Sequence, residues 1–225
     1  MSLRLGILPR VPSSLVALVV LLAAPPPSAG PQIPRGDSLQ RAKQLTWLNN
    51  WAEAARVLER LKRSGRLSGD EATTIFSRAV EIRGNIEALS LPSAAKELGA
   101  MLSADAVRRD SELRLQILAM KGDVEFQYDL PGAERTWKEV RRLGLERGNG
   151  PWAARAGGEL GTIAFLNGEV ATGLRMVVAA YLKAELYGDS TAKVKQLTAL
   201  GEGLAEFGRP ADAIRFFNKA LALSS

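Results

Sequence analysis

Residues 194–223 read VKQLTALGEGLAEFGRPADAIRFFNKALAL. Leu197, Leu200, Leu204 and Phe207 recur at intervals of three and four, the period of a helix with one apolar stripe. Gly208-Arg209-Pro210 interrupts that helix. Gly permits the left-handed backbone that closes a helix, and Pro suits the first turn of the next. A second helix over residues 211–223 then buries Ala213, Phe217, Ala220 and Leu221. Gly201 and Ala213 face each other across the turn, so the two axes approach closely while Leu204 and Phe217 fill the sides.

The pattern recurs upstream at a spacing of about forty residues. Its small contact residues are Ala54, Ala94, Ala133, Gly173 and Ala213. One unit earlier, Gly161, Ala164, Gly168 and Gly173 take the places of Gly201, Leu204, Gly208 and Ala213, with a turn at Asn167-Gly168-Glu169. The third unit has Met120, Val124, Ala133 and Trp137, and its second helix starts at Asp129-Leu130-Pro131-Gly132. The first has Ala42, Leu45, a turn at Asn49-Asn50, then Trp51, Ala54, Leu58 and Leu61. The second is the least regular: residues 76–88, Ser90-Leu91-Pro92, then Ala94, Leu98 and Met101. A helix pair cannot bury its apolar face alone, so such units stack. The expected fold is all-α: an α-solenoid of about five antiparallel helix pairs over residues 38–225, behind an N-terminal leader. Extra length falls at residues 62–70, at Gly148-Asn149-Gly150-Pro151, and in the helix through Tyr181–Tyr187 to Gly188-Asp189.

This pattern resembles the tetratricopeptide repeat (TPR) family, whose repeat is written Trp-x2-Leu-Gly-x2-Tyr, then Gly, then Ala-x3-Phe-x2-Ala. Leu160-Gly161, Leu200-Gly201, Gly168, Gly208, Ala133-x3-Trp137 and Ala213-x3-Phe217-x2-Ala220 match it directly. The period is longer than the family's thirty-four, Ile117 or Gly157 stands at the Trp place, and the terminal Pro is missing. The longer period looks like the variant of bacterial regulators and signalling scaffolds. The resemblance implies that the first helix of each pair lines the inner surface. Candidate partner-binding residues are then Lys43, Trp47, Arg83, Ile86, Phe126, Arg155, Thr162, Phe165, Lys195 and Glu202. Such a mixed groove suits an extended or helical peptide of acidic character. The family's carboxylate clamp has Asn where Arg83 and Lys43 stand here, so that specificity is not implied. Against these readings, Phe126 and Phe165 equally fit inter-repeat core, and Trp47 a cap on the stack. Trp51 and Trp137 fall at packing places; Trp152 seals a repeat junction or sits in a loop.

Composition narrows the function classes. The chain has no Cys and no His, which removes thiol chemistry, thiolate metal sites and the commonest general base and metal ligand. No enzyme, cofactor or metal is expected. Glu159 and Glu169 are the only acids to consider as a glycan-cleaving pair. The net charge of +6 comes from well-mixed residues, and the densest bases, Arg60-Leu61-Lys62-Arg63 with Arg66, Arg108-Arg109 and Arg141-Arg142, fall on or near helix ends, where cations meet the carbonyl dipole. No nucleic-acid partner is expected.

Residues 1–10 are basic, residues 15–24 are an unbroken apolar run, and Pro25-Pro26-Pro27-Ser28-Ala29 follows. This is the layout of a secretory signal peptide. Ten residues of helix span about 15 Å, half a bilayer core, so no stable transmembrane span is expected. The domains read as a leader over 1–29, a Pro/Gly-rich linker over 30–37 and the repeat region over 38–225. The protein is then exported, periplasmic or extracellular, or held by an uncleaved leader. After Phe216-Phe217-Asn218-Lys219-Ala220-Leu221-Ala222-Leu223 no polar capping helix follows. The end face is expected to be covered by a second copy, by a partner, or by further domains of a longer protein. The function expected is a protein-interaction scaffold holding a peptide or protein. The alternative is a sensor or regulatory module of a larger signalling protein.

Overall fold

The computed structural model describes residues 36–224, so the leader and most of the linker lie outside the described residues. Within them the chain is all-helical, with no strand. In order the helices are α1 (Leu39–Trp47), α2 (Trp51–Arg63), α3 (Glu71–Gly84), α4 (Leu91–Met101), α5 (Asp105–Arg109), α6 (Ser111–Glu125), α7 (Leu130–Glu146), α8 (Gly150–Leu166), α9 (Val170–Leu186), α10 (Ser190–Glu206) and α11 (Pro210–Ser224), with a 3-10 turn at Ile86–Ala88.

Local chemistry sets these boundaries. Helices α1, α2, α3, α4, α6, α7, α8 and α10 each begin at a Ser, Asn or Asp whose side chain accepts a backbone N–H of the first turn. Each such cap satisfies a donor that the helix itself leaves unpaired. The turns close through left-handed residues: Asn49 at φ 57°, and Gly148, Gly168, Gly188 and Gly208 at 66°, 80°, 66° and 69°. From residue 130 the helices start at 130, 150, 170, 190 and 210. The forty-residue period is therefore two equal helix-plus-turn modules, and α7, α8, α9 and α10 are each 17 residues long.

Turns of three or four residues leave consecutive helices no choice but antiparallel packing. The pairs α1/α2, α6/α7, α8/α9 and α10/α11 form as expected, and α7 also packs on α8 and α9 on α10. The small contact residues are buried: Ala54, Ala94, Ala133 and Ala213 expose at most 2%. A Cβ on Gly173 would lie 2.8 Å from the carbonyl oxygen of Gly161, so α8 and α9 meet backbone to backbone. Trp137 is 3% exposed, against Gly122, and burying a side chain of that size contributes roughly 2–3 kcal/mol.

The second unit departs from the expected pairing. Helix α4 packs chiefly on α6 and little on α3. The inserted Val107 of α5 joins Phe76, Ala79, Val80 and Ile82 of α3, Ala94 and Leu98 of α4, and Leu113, Ile117 and Met120 of α6 in one core. The irregularity read in the sequence here is thus a local three-way packing of α3, α4 and α6 around α5.

Candidate functional site

Helices α1, α6, α8 and α10 converge on a cavity of about 50 Å³. The four tryptophans of the chain, Trp47, Trp51, Trp137 and Trp152, all line it. Trp47 and Trp152 meet edge to face, ring centroids 4.9 Å apart and planes at 90°, the geometry that brings the positive ring edge to the negative face. The Arg155 guanidinium lies 3.4 Å from the Trp47 centroid. The same guanidinium forks onto Asp189, Nε to Oδ2 at 2.7 Å and an Nη to Oδ1 at 2.8 Å. Asp189 also caps α10 by accepting Ala192 N–H. The first helix is thereby tied to α8, and α8 to the start of α10.

A second charged cluster lies beside the first, around the buried Glu159. Glu159, buried, accepts from Lys195 Nζ at 2.6 Å, and Asp123 lies 3.7 Å from the same nitrogen. Burial pushes the Glu159 carboxyl above its ordinary value, with Asp123 adding to the rise, and Lys195 only partly offsets them. Burial pulls the Lys195 ammonium downward, but Glu159 and Asp123 outweigh it and its value is raised. Glu112 anchors the far wall, accepting from the Trp152 indole N–H at 2.9 Å, Asn149 Nδ2 at 3.1 Å and Gln116 Nε2 at 3.3 Å.

Through Asp123, Glu159 and Lys195 the cavity adjoins an open groove of about 410 Å³. Arg83 of α3, Phe126 at the end of α6, Thr162 of α8 and Lys195 and Glu202 of α10 line that groove. Five of the sequence-derived candidates are therefore brought together there. Lys43, Trp47 and Arg155 line the cavity instead, again with Lys195. Phe126 does both things foreseen for it, packing on the α6–α8 core while bordering the groove. Phe165 goes into the packing of α8, α9 and α10, against Gly173 and Gly203. Ile86 packs on the N-terminal core. Trp152 takes the junction place rather than a loop, at 6% exposure.

Arg83 and Lys43 have no carboxylate partner among the described residues. Arg83 lies 5.3 Å over the Trp51 ring with its Nε buried and unpartnered, and Lys43 5.8 Å over Phe76. Of the bases around Arg60, Arg60 pairs with Asp37 and Glu53, Arg63 pairs with Glu59, and Arg66 donates to the Asp37 carbonyl oxygen. Glu159 and Glu169 line different cavities, Glu169 being exposed at the start of α9. Sequence reasoning missed Gln116, Asp123, Gln196 and Asp189. Their only signal was an inward position on the first helix of a pair or, for Asp189, a cap position, and neither distinguishes a functional polar residue from a solvated one.

No protein-family model matches the chain, and no curated protein matches it. Among the described residues no helix is long and apolar enough to cross a membrane, and no group of three or more acids could hold a metal ion.

Proposed function

We propose that this chain is an exported protein-interaction scaffold, a TPR-like α-solenoid that holds a peptide or protein partner along its inner helices. The observation that carries this reading is the groove itself. Arg83, Phe126, Thr162, Lys195 and Glu202 come from four helices spread over the repeats and meet around one opening. An aromatic ring, a hydroxyl and charges of both signs on rigid helices suit a peptide laid across successive repeats. Lys195 is occupied by Glu159, so Arg83 is the groove cation with donors to spare. It would pair with an acidic residue of the partner. The apolar run of residues 15–24 supports export.

The test is capture from the native envelope fraction with the tagged chain and with Arg83→Glu, read by quantitative mass spectrometry. One partner at near-equal stoichiometry, lost in the variant, supports the reading. Capture that survives Arg83→Glu overturns the groove assignment. Lys195→Glu is a poor variant for this purpose, because it would set a third acid against Glu159 and Asp123.

A second reading, a regulatory module acting through self-association, draws on α11. Ile214 and Leu221 there are 57% and 69% exposed, beside Phe217 at 37%. Sedimentation that gives a monomer at every concentration would remove it.

A further inference from the structure

The tryptophan-lined cavity contains polar groups that neither packing nor the groove uses. Gln116 is 8% exposed and Gln196 2%, and the Oε1 of each has no hydrogen-bond partner in the protein. The Gln116 amide cannot simply be turned over. Its nitrogen donates to the Glu112 carboxylate, so its oxygen is the end left unpaired. The Gln196 amide lies over Gly158, where a Cβ would come within 2.2 Å of it, so glycine at 158 makes the room that amide occupies. A third unpartnered group, the Trp137 indole N–H, belongs to a residue 3% exposed that lines the same cavity. Leaving such groups buried and unmade is unfavourable, so their retention points to something that pairs with them.

The charges indicate what that is. Arg155 is paired with Asp189, Lys195 lies between Glu159 and Asp123, and Lys43, whose ammonium lies over the Phe76 ring, brings these three cations and three carboxylates to zero net charge. No carboxylate is left to hold a cation, and two unpaired amide oxygens disfavour an anion. What fits is neutral, with two N–H donors and one acceptor. A cavity of about 50 Å³ takes three to five water-sized groups at ~10–15 Å³ each, the size of a head group rather than of a whole cofactor.

We propose that this cavity binds a primary carboxamide, whose two N–H groups donate to Gln116 Oε1 and Gln196 Oε1 and whose carbonyl accepts from the Trp137 indole. The assignment stands whether or not the groove holds a peptide. The carboxamide belongs either to a glutamine or asparagine side chain reaching in from the groove or to a free small amide, and the chemistry at the wall is the same.

The test uses the ¹⁵N-labelled full chain and its four indole N–H resonances. It is titrated in turn with L-glutamine, N-acetyl-L-glutamine N-methylamide, L-glutamate and L-methionine. The expected result is a saturable shift of the Trp137 resonance with one or both carboxamides and none with glutamate or methionine at the same concentrations. A stronger response to the blocked compound assigns the source to a peptide side chain, and a stronger response to free glutamine assigns it to the free amide. No saturable shift with either carboxamide means a cavity for water alone and overturns the proposal, as does an equal response to glutamate or methionine. Gln196→Leu is expected to weaken binding at least tenfold without lowering Tm, since it removes an unpaired buried acceptor, and Gln116→Leu, which also loses the bond to Glu112, is expected to weaken binding by as much. A fall in Tm in both variants with binding unchanged would make the glutamines structural and overturn it too. Loss of partner capture in Arg83→Glu together with an intact glutamine titration would separate the groove from the cavity.

Discussion

The Arg155 guanidinium lies 3.4 Å from the centroid of the Trp47 ring and forks onto Asp189 from its other edge. One side chain of α8 therefore joins the first helix of the described chain to the turn before α10. Three elements remote in sequence share a single charge-assisted contact beside the tryptophan-lined cavity.

Trp47→Ala is expected to lower stability by about 2 kcal/mol, less than a full core tryptophan because Trp47 is half-buried. In a domain of this size that moves Tm down by roughly 4–8 °C. A thermal melt followed by circular dichroism reads it. A double-mutant cycle with Arg155→Met should show a coupling of about 1 kcal/mol, the scale of a partly desolvated cation–π contact. Strict additivity of the two changes would show that the stacking contributes nothing.

Asp189→Asn keeps a good helix cap but removes the countercharge of Arg155. Both partners are nearly buried, with side-chain exposures of 12% and 5% for Arg155 and Asp189. An uncompensated guanidinium there should be destabilising by about 3 kcal/mol in urea unfolding. A variant as stable as the parent would mean that Arg155 swings out to water.

Glu159 sets a pH dependence with a definite sign. Burial raises its folded-state value above the ordinary 4.5, so the folded protein binds a proton that the unfolded chain has released. Its contribution to stability is therefore fully present below about 4.5 and is lost as pH rises through the folded value. Glu159→Gln does not titrate. The stability of the parent relative to Glu159→Gln should rise as pH falls from 7 toward 5. Asp37, Glu53 and Glu139, lowered by hydrogen bonds and neighbouring cations despite opposing burial, and Asp70, lowered by hydrogen bonds from Ser68 and Thr73, act oppositely but equally in both proteins and cancel in the difference. A constant difference across that range would show that Glu159 ionises normally.

Two glycines of α8 and α9 should respond in opposite directions to alanine. A Cβ on Gly157 meets nothing within 4 Å, and replacing a mid-helix glycine by alanine stabilises by about 0.5–1 kcal/mol. A Cβ on Gly173 would sit 2.8 Å from the Gly161 carbonyl oxygen and 2.9 Å from the Phe165 ring, an overpacking that should destabilise by about 1–3 kcal/mol. Equal effects on Tm would contradict the close α8/α9 approach.

The all-helical architecture was legible because each clue to it is local. Asn49-Asn50, Gly148-Asn149, Gly168-Glu169, Gly188-Asp189 and Gly208-Arg209-Pro210 mark turns by backbone preference alone, and all of them are turns. The small residues Ala54, Ala133, Gly173 and Ala213 marked helix contacts for the same reason, since only a missing side chain allows the axes so close. The second unit was weakly patterned, and there the structure pairs α4 with α6 instead of with α3. The candidate site was half legible. The family resemblance implied Arg83, Phe126, Thr162, Lys195 and Glu202 as candidates, and these line one groove, but it also implied Phe165, and packing took that ring into the α8–α10 core.

Outside the second unit, the sequence by itself determined where helices start, stop and touch their neighbours, because capping, left-handed turns and close approach are decided within about forty residues of chain. Only the tertiary structure decided that Trp47 would reach Arg155 and Trp152, that Lys195 would be taken up by Glu159, and that Gln116 and Gln196 would be left unpaired around one cavity. Those contacts join α1, α6, α8 and α10. These helices are far apart in sequence and belong to different pairs, so no single pair's sequence contains the contacts between them.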